Sequence, residues 1–398
     1  MSKMKVLMTI YYSKNTGGAE ISTNKLAKHL KDAKIEVVVA STSNYDVKTY
    51  NFIKFNPIVQ PFRLQELYLS KFLSNVIKKE EIDIVHAQDR LTSLGAIKAC
   101  KKLKIPVIVH FRDYWFACPE SSCLKKNYQY CETCNFKNLL ACGDIKFLWN
   151  LYKYITLIRR CPIILNSADE KIAISQAVKE KLEFCGLKNA KVVPNPVNVE
   201  EFWEANGRDI RERYDLDDEI VISFIGGLSY HKGIINFLKV AEDISINYPN
   251  IKFLVVGDGP LKKECIDFSL NKNLKDCVVF TGKVSNKEIP KYYKASDIIA
   301  FPSIWQEPFG RIAIEGMASG KPIVASDIGG ISDIVRDGKN GFLCNPFNLK
   351  EFKQKLEILI GDKELRNKMG EKGLKLAKEK YDEKVIANQI VKIYKEIL

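Results

Sequence analysis

The sequence contains no run of about 18 consecutive apolar residues, the length that a helix needs to cross a bilayer. The first residues, Met1–Lys5, carry neither the apolar segment nor the cleavage site of a secretory signal. Internal repeats and low-complexity tracts are also absent. These absences exclude a membrane-spanning protein and a fibrous one. We therefore expect a cytoplasmic globular protein that retains the option of peripheral contact with a membrane.

Two common nucleotide-binding motifs are missing. No Gly-x-Gly-x-x-Gly follows a predicted strand, which argues against a dehydrogenase-type dinucleotide site. The segment Gly316–Pro322 resembles a P-loop only superficially, because its glycine spacing is short and it lacks the Ser/Thr. No nucleic-acid-binding motif is present, so nucleic acid is not an expected partner.

The composition is that of a well-packed, basic protein. The 398 residues are 46% hydrophobic, which is enough for two or three domains. The formal net charge of +14 favours anionic partners such as nucleotide phosphates or anionic lipid surfaces. The alternative is that the charge serves solubility alone, because the lysines are spread along the whole chain.

The chain alternates short β-rich runs with amphipathic helical segments. This alternation predicts an α/β protein with parallel sheets covered by helices on both faces. Ligands of such sheets bind at the carboxyl ends of the strands. Predicted strands are Lys5–Ile10, Ile35–Ala40, Ile82–His86, Pro106–His110, Ile220–Ile225, Ile251–Val256, Val278–Thr281, Ile298–Phe301 and Ile323–Ala325, and predicted helices in the first half are Ala19–Lys31, Gln65–Lys79 and Thr92–Leu103.

The stretch Phe301–Pro322 carries the clearest chemistry. A strand ends near Pro302, a loop carries Glu307, and a helix starting near Gly310 carries Glu315. The free N–H groups and the positive dipole end of such a helix suit a phosphate. On their own, these residues are equally consistent with a capped helix and a surface glutamate.

The full pattern removes much of this ambiguity. Glu307-x7-Glu315, with Phe-Gly after the first Glu and Gly-Lys-Pro after the helix, closely resembles the signature of retaining glycosyltransferases of family GT4. The resemblance implies a GT-B fold, in which two Rossmann-like, doubly wound parallel-sheet domains face a central cleft. It also implies that Glu307 binds the donor hexose and serves catalysis, and that Glu315 binds the ribose. The diphosphate would be bound by the backbone amides of Phe309, Gly310 and Arg311.

Further residues match the family less completely. Lys232, in His-Lys-Gly, stands where the family has a lysine that binds the donor diphosphate. Gly227 occupies the position of a second phosphate-binding residue, an arginine in the family, so that cation is missing or is supplied by Arg311 or another residue. Val284 follows a predicted strand whose backbone pairs with the nucleotide base in the family.

Two predicted site elements lie in the first half of the chain. Gly17 and Gly18 follow the first strand and resemble the family loop that lines the cleft against donor and acceptor. His110 precedes Asp-Tyr-Trp-x-x-Cys-Pro and resembles a family histidine that points toward the donor sugar, which implies a catalytic role. Phe111 and Arg112 are inserted between His110 and the Asp of this element.

Five of the eleven cysteines lie within 25 residues, and Cys131-x-x-Cys134 has the spacing of a metal chelate. The alternatives are a structural zinc site, unligated thiols in a variable loop, and a redox pair. The candidate ligands are Cys118, Cys123, Cys131, Cys134 and Cys142.

The segment Lys146–Arg160 is apolar, aromatic and basic, which is typical of a helix at a membrane interface. Its apolar residues run nearly all round, however, and this favours a buried helix. Basic residues that would meet an anionic leaflet are Lys98, Lys101, Lys102, Lys104, Lys146, Lys153, Arg159 and Arg160.

These observations predict an N-terminal acceptor-binding domain (1–196), a linker (197–217), a nucleotide-sugar-binding domain (218–380) and a helix crossing back to the first domain (381–398). The expected activity is transfer of a hexose from a UDP- or GDP-sugar to a hydroxyl of a saccharide or lipid-linked acceptor. No cofactor is expected to be required. The alternatives are a nucleotide-sugar epimerase of the same fold and a non-catalytic nucleotide-sugar-binding protein.

Overall fold

The computed structural model describes residues 3–11, 18–42, 51–56, 61–125, 129–142 and 147–398. The chain forms two compact units. Unit 1 comprises Met1–Pro196 and Glu383–Leu398, and unit 2 comprises Val197–Asp382. Among the described helices, none is both long enough and apolar enough to span a bilayer.

Unit 1 is built on a seven-stranded parallel sheet with the order β3-β2-β1-β4-β5-β6-β7. The order reverses between β1 and β4, which is where open α/β sheets bind ligands. Its strands are β1 (Lys5–Thr9), β2 (Glu36–Ser41), β3 (Asn51–Lys54), β4 (Ile84–Ala87), β5 (Val107–Phe111), β6 (Glu170–Ala173) and β7 (Lys191–Val192). The helices before unit 2 are α1 (Gly18–Asp32), α2 (Phe62–Lys79), α3 (Arg90–Leu103), α4 (Phe136–Ala141), α5 (Phe147–Thr156), α6 (Cys161–Leu165) and α7 (Gln176–Phe184).

Unit 2 repeats this plan on a six-stranded parallel sheet with the order β10-β9-β8-β11-β12-β13. The order reverses between β8 and β11. Its strands are β8 (Ile220–Ile225), β9 (Ile251–Val256), β10 (Val278–Gly282), β11 (Ile298–Phe301), β12 (Ile323–Ser326) and β13 (Gly341–Cys344). Its helices are α8 (Val199–Glu204), α9 (Arg208–Tyr214), α10 (Ile234–Ser245), α11 (Lys262–Asn271), α12 (Ile289–Ala295), α13 (Arg311–Ala318), α14 (Ile331–Ile334), α15 (Leu349–Gly361) and α16 (Lys363–Lys380).

The central strands of both sheets are buried and rich in β-branched residues, because helices cover both faces of a doubly wound sheet. The predicted α/β class with two doubly wound parallel sheets is confirmed. Within unit 2, the apolar residues of β8, β9 and β11 pack with those of α10 and α15 in one core cluster. This packing fixes the positions of the strand ends on which the candidate site is built.

Residues 197–217, predicted as a linker, form two helices that belong to unit 2. Phe202 of α8 packs edge-on against Tyr293 of α12, with ring centroids 5.5 Å apart. Arg211 of α9 donates to Asp297 at 2.6 Å and to the Ala295 carbonyl at 3.0 Å. The buried Phe202 and the Arg211 contacts thus join this segment to α12 and to the residues that follow it.

The last helix, α17 (Glu383–Ile397), belongs to unit 1. The buried carboxylate of Glu383 accepts from Lys25 at 2.6 Å, and its other oxygen lies 2.7 Å from Nε2 of His29, both on α1. Further along, the Tyr394 hydroxyl lies 2.7 Å from Nδ1 of His86. These polar contacts supplement the burial of Ile386 and Ile390 in the core of unit 1.

Candidate active site

The candidate site lies at the carboxyl ends of β8 and β11, where the strand order of unit 2 reverses. The loop after β8 ends in a short 3-10 helix, Tyr230–Lys232, and then in Gly233. Gly233 has a φ of 77°, and a Cβ atom there would lie 1.7 Å from the Pro302 carbonyl oxygen. Only glycine therefore allows this loop to pack against the end of β11. This close approach brings Lys232 next to the loop that carries Glu307.

Lys232 and Glu307 form an ion pair with an Nζ to Oε1 distance of 2.5 Å. Ser303 donates to the same carboxylate oxygen at 3.1 Å. Glu307 is only 5% exposed, whereas the Lys232 side chain is partly accessible. The Lys232 ammonium also lies 5.0 Å from the centre of the Trp305 ring. The site thus holds an accessible cation over a buried carboxylate, an arrangement suited to a ligand with both an anionic group and hydroxyls.

A second glycine pair fixes the backbone of Glu307. The Gly330 N–H donates to the Glu307 carbonyl at 2.7 Å. Gly329 has a φ of 60°, and a Cβ atom there would lie 2.3 Å from the same carbonyl oxygen. The turn after β12 therefore supports the loop that carries Glu307, and a side chain at Gly329 would displace it.

Helix α13 begins directly after this loop. Its N-cap, Gly310, has a φ of 109° and provides no side-chain cap, so an incoming anion can accept from the first N–H groups. In the second turn, Glu315 accepts from Arg311 at 2.8 Å and from the Tyr293 hydroxyl at 3.0 Å. Burial raises the pKa of this tyrosine well above its ordinary value. The Arg311 and Tyr293 donors therefore fix the orientation of the Glu315 carboxylate.

The remaining predicted positions of unit 2 lie around the same strand ends. Nothing lies within 4 Å of a Cβ atom built on Gly227, so a side chain would fit there. The Gly257 N–H, just after β9, donates to the carbonyl of Gly282 at 3.0 Å. Gly282 ends β10, and Val284 lies two residues beyond it. Burial and the neighbouring Lys232 lower the pKa of His231.

In unit 1, the catalytic prediction for His110 conflicts with its surroundings. His110 is 2% exposed, and its ring stacks on His86 with centroids 5.4 Å apart. Burial, Arg112 and His86 hold its pKa well below its ordinary value. Because β5 continues to Phe111, His110 lies within the strand with its side chain buried, and its catalytic role stays a prediction. Of the predicted glycine pair, Gly18 begins α1, and Gly17 lies outside the described residues.

Arg112 is the residue that directly precedes the Asp-Tyr-Trp element, the position at which the family signature has its histidine. Its guanidinium donates to Gln88 at 2.6 Å and to Asn195 at 2.5 Å. Next to it, burial raises the pKa of Asp113 to about 6. By its spacing to Asp113, Arg112 occupies the position of the family histidine. His110 matches that histidine in residue type but not in spacing.

In the described part of the chain, the five clustered cysteines are not gathered into a metal-binding arrangement. Cys118 and Cys123 contact each other, and the hydrogen bond from the Cys123 thiol lowers the pKa of Cys118 to about 6. Among the residues that the structure describes, which include all five cysteines, no group of three or more ligating side chains has a metal-binding arrangement. The zinc hypothesis is therefore not supported, and burial raises the pKa of Cys134 to about 12 as expected for an inert thiol.

Comparison of the chain with known proteins identifies its family. The model of glycosyl transferases group 1 matches residues 207–376, and that of glycosyltransferase family 4 matches residues 16–201. An uncharacterised glycosyltransferase of Methanocaldococcus jannaschii is 30% identical over 99% of both chains. A lipopolysaccharide 1,2-N-acetylglucosaminetransferase of Salmonella typhimurium is 28% identical over 50% of this chain and 54% of its own.

Among solved structures, Anabaena HepE in complex with UDP-glucose has a TM-score of 0.76 and 23% identity, covering 99% of this chain and 100% of its own. This likeness confirms the GT-B fold. The two family models and the relative that is 30% identical show that the chain belongs to the group 1 glycosyltransferases of family GT4.

Proposed function

We propose that the chain transfers a hexose from a UDP- or GDP-sugar to a hydroxyl of a saccharide or lipid-linked acceptor, with retention of the anomeric configuration. The observation that carries the proposal is the ion pair of Lys232 with the buried Glu307 beside the start of α13. HepE, which has the same fold, binds UDP-glucose, and the Salmonella relative transfers N-acetylglucosamine to a lipopolysaccharide.

The donor diphosphate would replace Glu307 as the partner of the Lys232 ammonium. The N–H groups of Phe309, Gly310 and Arg311, at the positively polarised helix start, would bind its oxygens. As the glycosidic bond breaks, negative charge grows on the leaving diphosphate, and these fixed donors stabilise it. Glu307, released from Lys232 but still bound to Ser303, would accept hydrogen bonds from the hexose hydroxyls.

Gly227 marks the point at which this site departs from the family pattern. Donor binding then depends more on Lys232, since the arginine that the resemblance implies at this position is absent. Arg311 does not replace it freely, because its guanidinium already donates to Glu315.

Replacing Glu315 by Gln should weaken binding of the nucleoside diphosphate roughly tenfold, because the ribose loses a charge-assisted hydrogen bond. The measurement is isothermal titration with UDP and GDP. Glu242→Gln is the matched control, since Glu242 of α10 pairs with Lys272 at 2.9 Å outside the site. Equal affinities of the Glu315 variant and the parent would contradict the ribose assignment.

Replacing Gly227 by Arg should tighten binding of the nucleoside diphosphate by about three- to tenfold, because a second cation joins Lys232 and the position has room for a side chain. Gly227→Leu, which adds bulk without charge, should not tighten it. The same titration checks both variants. An arginine variant that binds no more tightly than the leucine variant would remove Gly227 from the diphosphate site.

The activity itself is tested by supplying UDP- and GDP-hexoses one at a time with a panel of alkyl glycoside and lipid-linked saccharide acceptors. The readouts are release of the nucleoside diphosphate and mass of the acceptor. The expected result is one preferred donor and an acceptor heavier by one hexosyl group. An epimerase would change the donor sugar without any acceptor, and a binding protein would leave both unchanged. Either result would refute the proposal.

A further inference from the structure

Helix α5 is oriented with its apolar side chains outward. Leu148, Tyr152 and Ile155 lie on one face at i, i+4 and i+7, and Leu148 is 77% exposed. The buried residues of this helix are Asn150 and Lys153. The sequence prediction of a helix buried by its apolar residues is therefore wrong.

Buried polar contacts fix this orientation. The Lys153 ammonium donates to the Pro119 carbonyl at 3.1 Å and to Glu120 at 2.8 Å, and the residue is only 8% exposed. Turning α5 over would break both of these contacts and leave the Pro119 carbonyl and the Glu120 carboxylate without the ammonium that they accept from. The exposure of the apolar side chains is thus a feature of the native packing.

Neighbouring helices extend this surface. Phe62, at the start of α2, stacks on Tyr152 with ring centroids 5.7 Å apart. The centroid of the Trp149 ring lies 6.3 Å from that of Phe62. Phe136 of α4 contacts Phe147 of α5 at 6.0 Å. We use the name apolar face for the large apolar side chains exposed on these three packed helices, namely Leu64, Leu67, Phe136, Leu140, Leu148, Trp149 and Ile155. An exposed set of this size is unusual for a surface that meets only water.

The helices of the apolar face also carry exposed basic residues, which we call the basic rim. Arg63 and Lys71 are exposed on α2, Lys137 on α4, and Arg159 just after α5. Glu132, shortly before α4, is an exposed acid among the described residues. The other nearby acids are neutralised, since Glu66 pairs with Arg160 at 3.0 Å and Glu120 pairs with Lys153.

This rim differs from the basic set that the sequence predicted for a membrane contact. Lys101 pairs with Asp169 at 2.8 Å, Lys98 lies 3.8 Å from Glu66, and Lys153 is buried. Lys146 lies outside the described residues. Arg159, just after α5, is exposed and belongs to both the predicted basic set and the rim.

We propose that the apolar face docks on the surface of an anionic phospholipid bilayer. Leucine, isoleucine and aromatic side chains would enter the boundary between headgroups and acyl chains, while the basic rim would contact lipid phosphates. A second copy of the chain fits less well, because a symmetric contact would bring two basic rims together. The inference concerns unit 1 alone and does not depend on the donor chemistry of unit 2.

The test is co-sedimentation of the full chain with phosphatidylcholine vesicles, with and without phosphatidylglycerol, at low and high salt. The parent should bind the anionic vesicles at low salt and release as salt rises. Leu148→Ser combined with Ile155→Ser should lower the partition coefficient roughly tenfold or more. Lys137→Glu combined with Arg159→Glu should remove the preference for anionic vesicles.

Ile246→Ser is the matched control, because Ile246 is 76% exposed at the end of α10 in unit 2. It should bind vesicles as the parent does. Unchanged circular dichroism and unchanged UDP titration of each variant separate this outcome from misfolding and from failure of the proposed function. Equal vesicle binding by parent and the serine pair, no binding by the parent, or a dimer in light scattering that the serine pair dissociates would each overturn the proposal.

Discussion

Glu307→Ala should lower the rate of hexose transfer by about three orders of magnitude or more while the chain remains folded. The carboxylate is buried, and its contacts with Lys232 and Ser303 orient it toward the position proposed for the hexose. Losing it removes the proposed hydrogen bonds to the sugar and, in the donor-free protein, the ion-pair partner of Lys232. The measurement is the initial rate of product formation at saturating donor.

Two further variants make this result specific. Glu307→Gln keeps the shape of the side chain but not its charge, and should also be impaired by at least about a hundredfold. Glu264→Gln, on the exposed side of α11, should have the rate of the parent. A purified, folded Glu307→Ala protein with the turnover of the parent would refute the role of this carboxylate.

Lys232→Met should have the second largest effect, with a loss of transfer of about a hundred- to a thousandfold and weaker binding of nucleoside diphosphates. The methionine retains much of the aliphatic contact with Trp305, 5.0 Å from the ammonium in the parent, but supplies no charge to the leaving group. Lys232→Arg should recover part of the affinity. Lys272→Met, which removes a surface pair with Glu242, is the control.

The two changes should not be additive. Lys232 and Glu307 contact each other at 2.5 Å, so removing the second partner costs less once the first is gone. A double variant whose loss equals the product of the single losses would mean that the two residues act independently. Binding of UDP that is unaffected by Lys232→Met would remove this lysine from the diphosphate site.

Much of the fold follows from local patterns. The ends of β8, β9 and β11 coincide with the predicted strands, because continuous apolar runs bounded by turn residues identify buried parallel strands. The short strands β3 and β13 were not predicted. The former is only partly buried, and neither has an apolar run long enough to be recognised.

The site could be predicted only where the chain carries a local signature. Glu307 and Glu315 are marked by their spacing, but the support of Glu307 by Gly329 and the approach of Gly233 to Pro302 are long-range contacts. A sequence indicates only that these glycines make turns. The placement of His110 depended on where β5 ends, and its end at Phe111 buries the histidine.

The orientation of α5 illustrates a different limit. Its apolar residues surround the helix axis, so periodicity alone does not define an inner face. The inner face is set by Lys153, whose partners Pro119 and Glu120 lie more than 30 residues earlier in the chain.

Retaining transfer at the Lys232–Glu307 site is tested most directly by the configuration of the new glycosidic bond. NMR of the product, formed from the preferred α-linked nucleotide sugar and an alkyl glycoside, reports this configuration through the one-bond carbon–proton coupling constant of the anomeric centre. We expect an α-linked product from the parent and none above background from Glu307→Ala. A β-linked product, or an α-linked product formed equally well by Glu307→Ala, would contradict it.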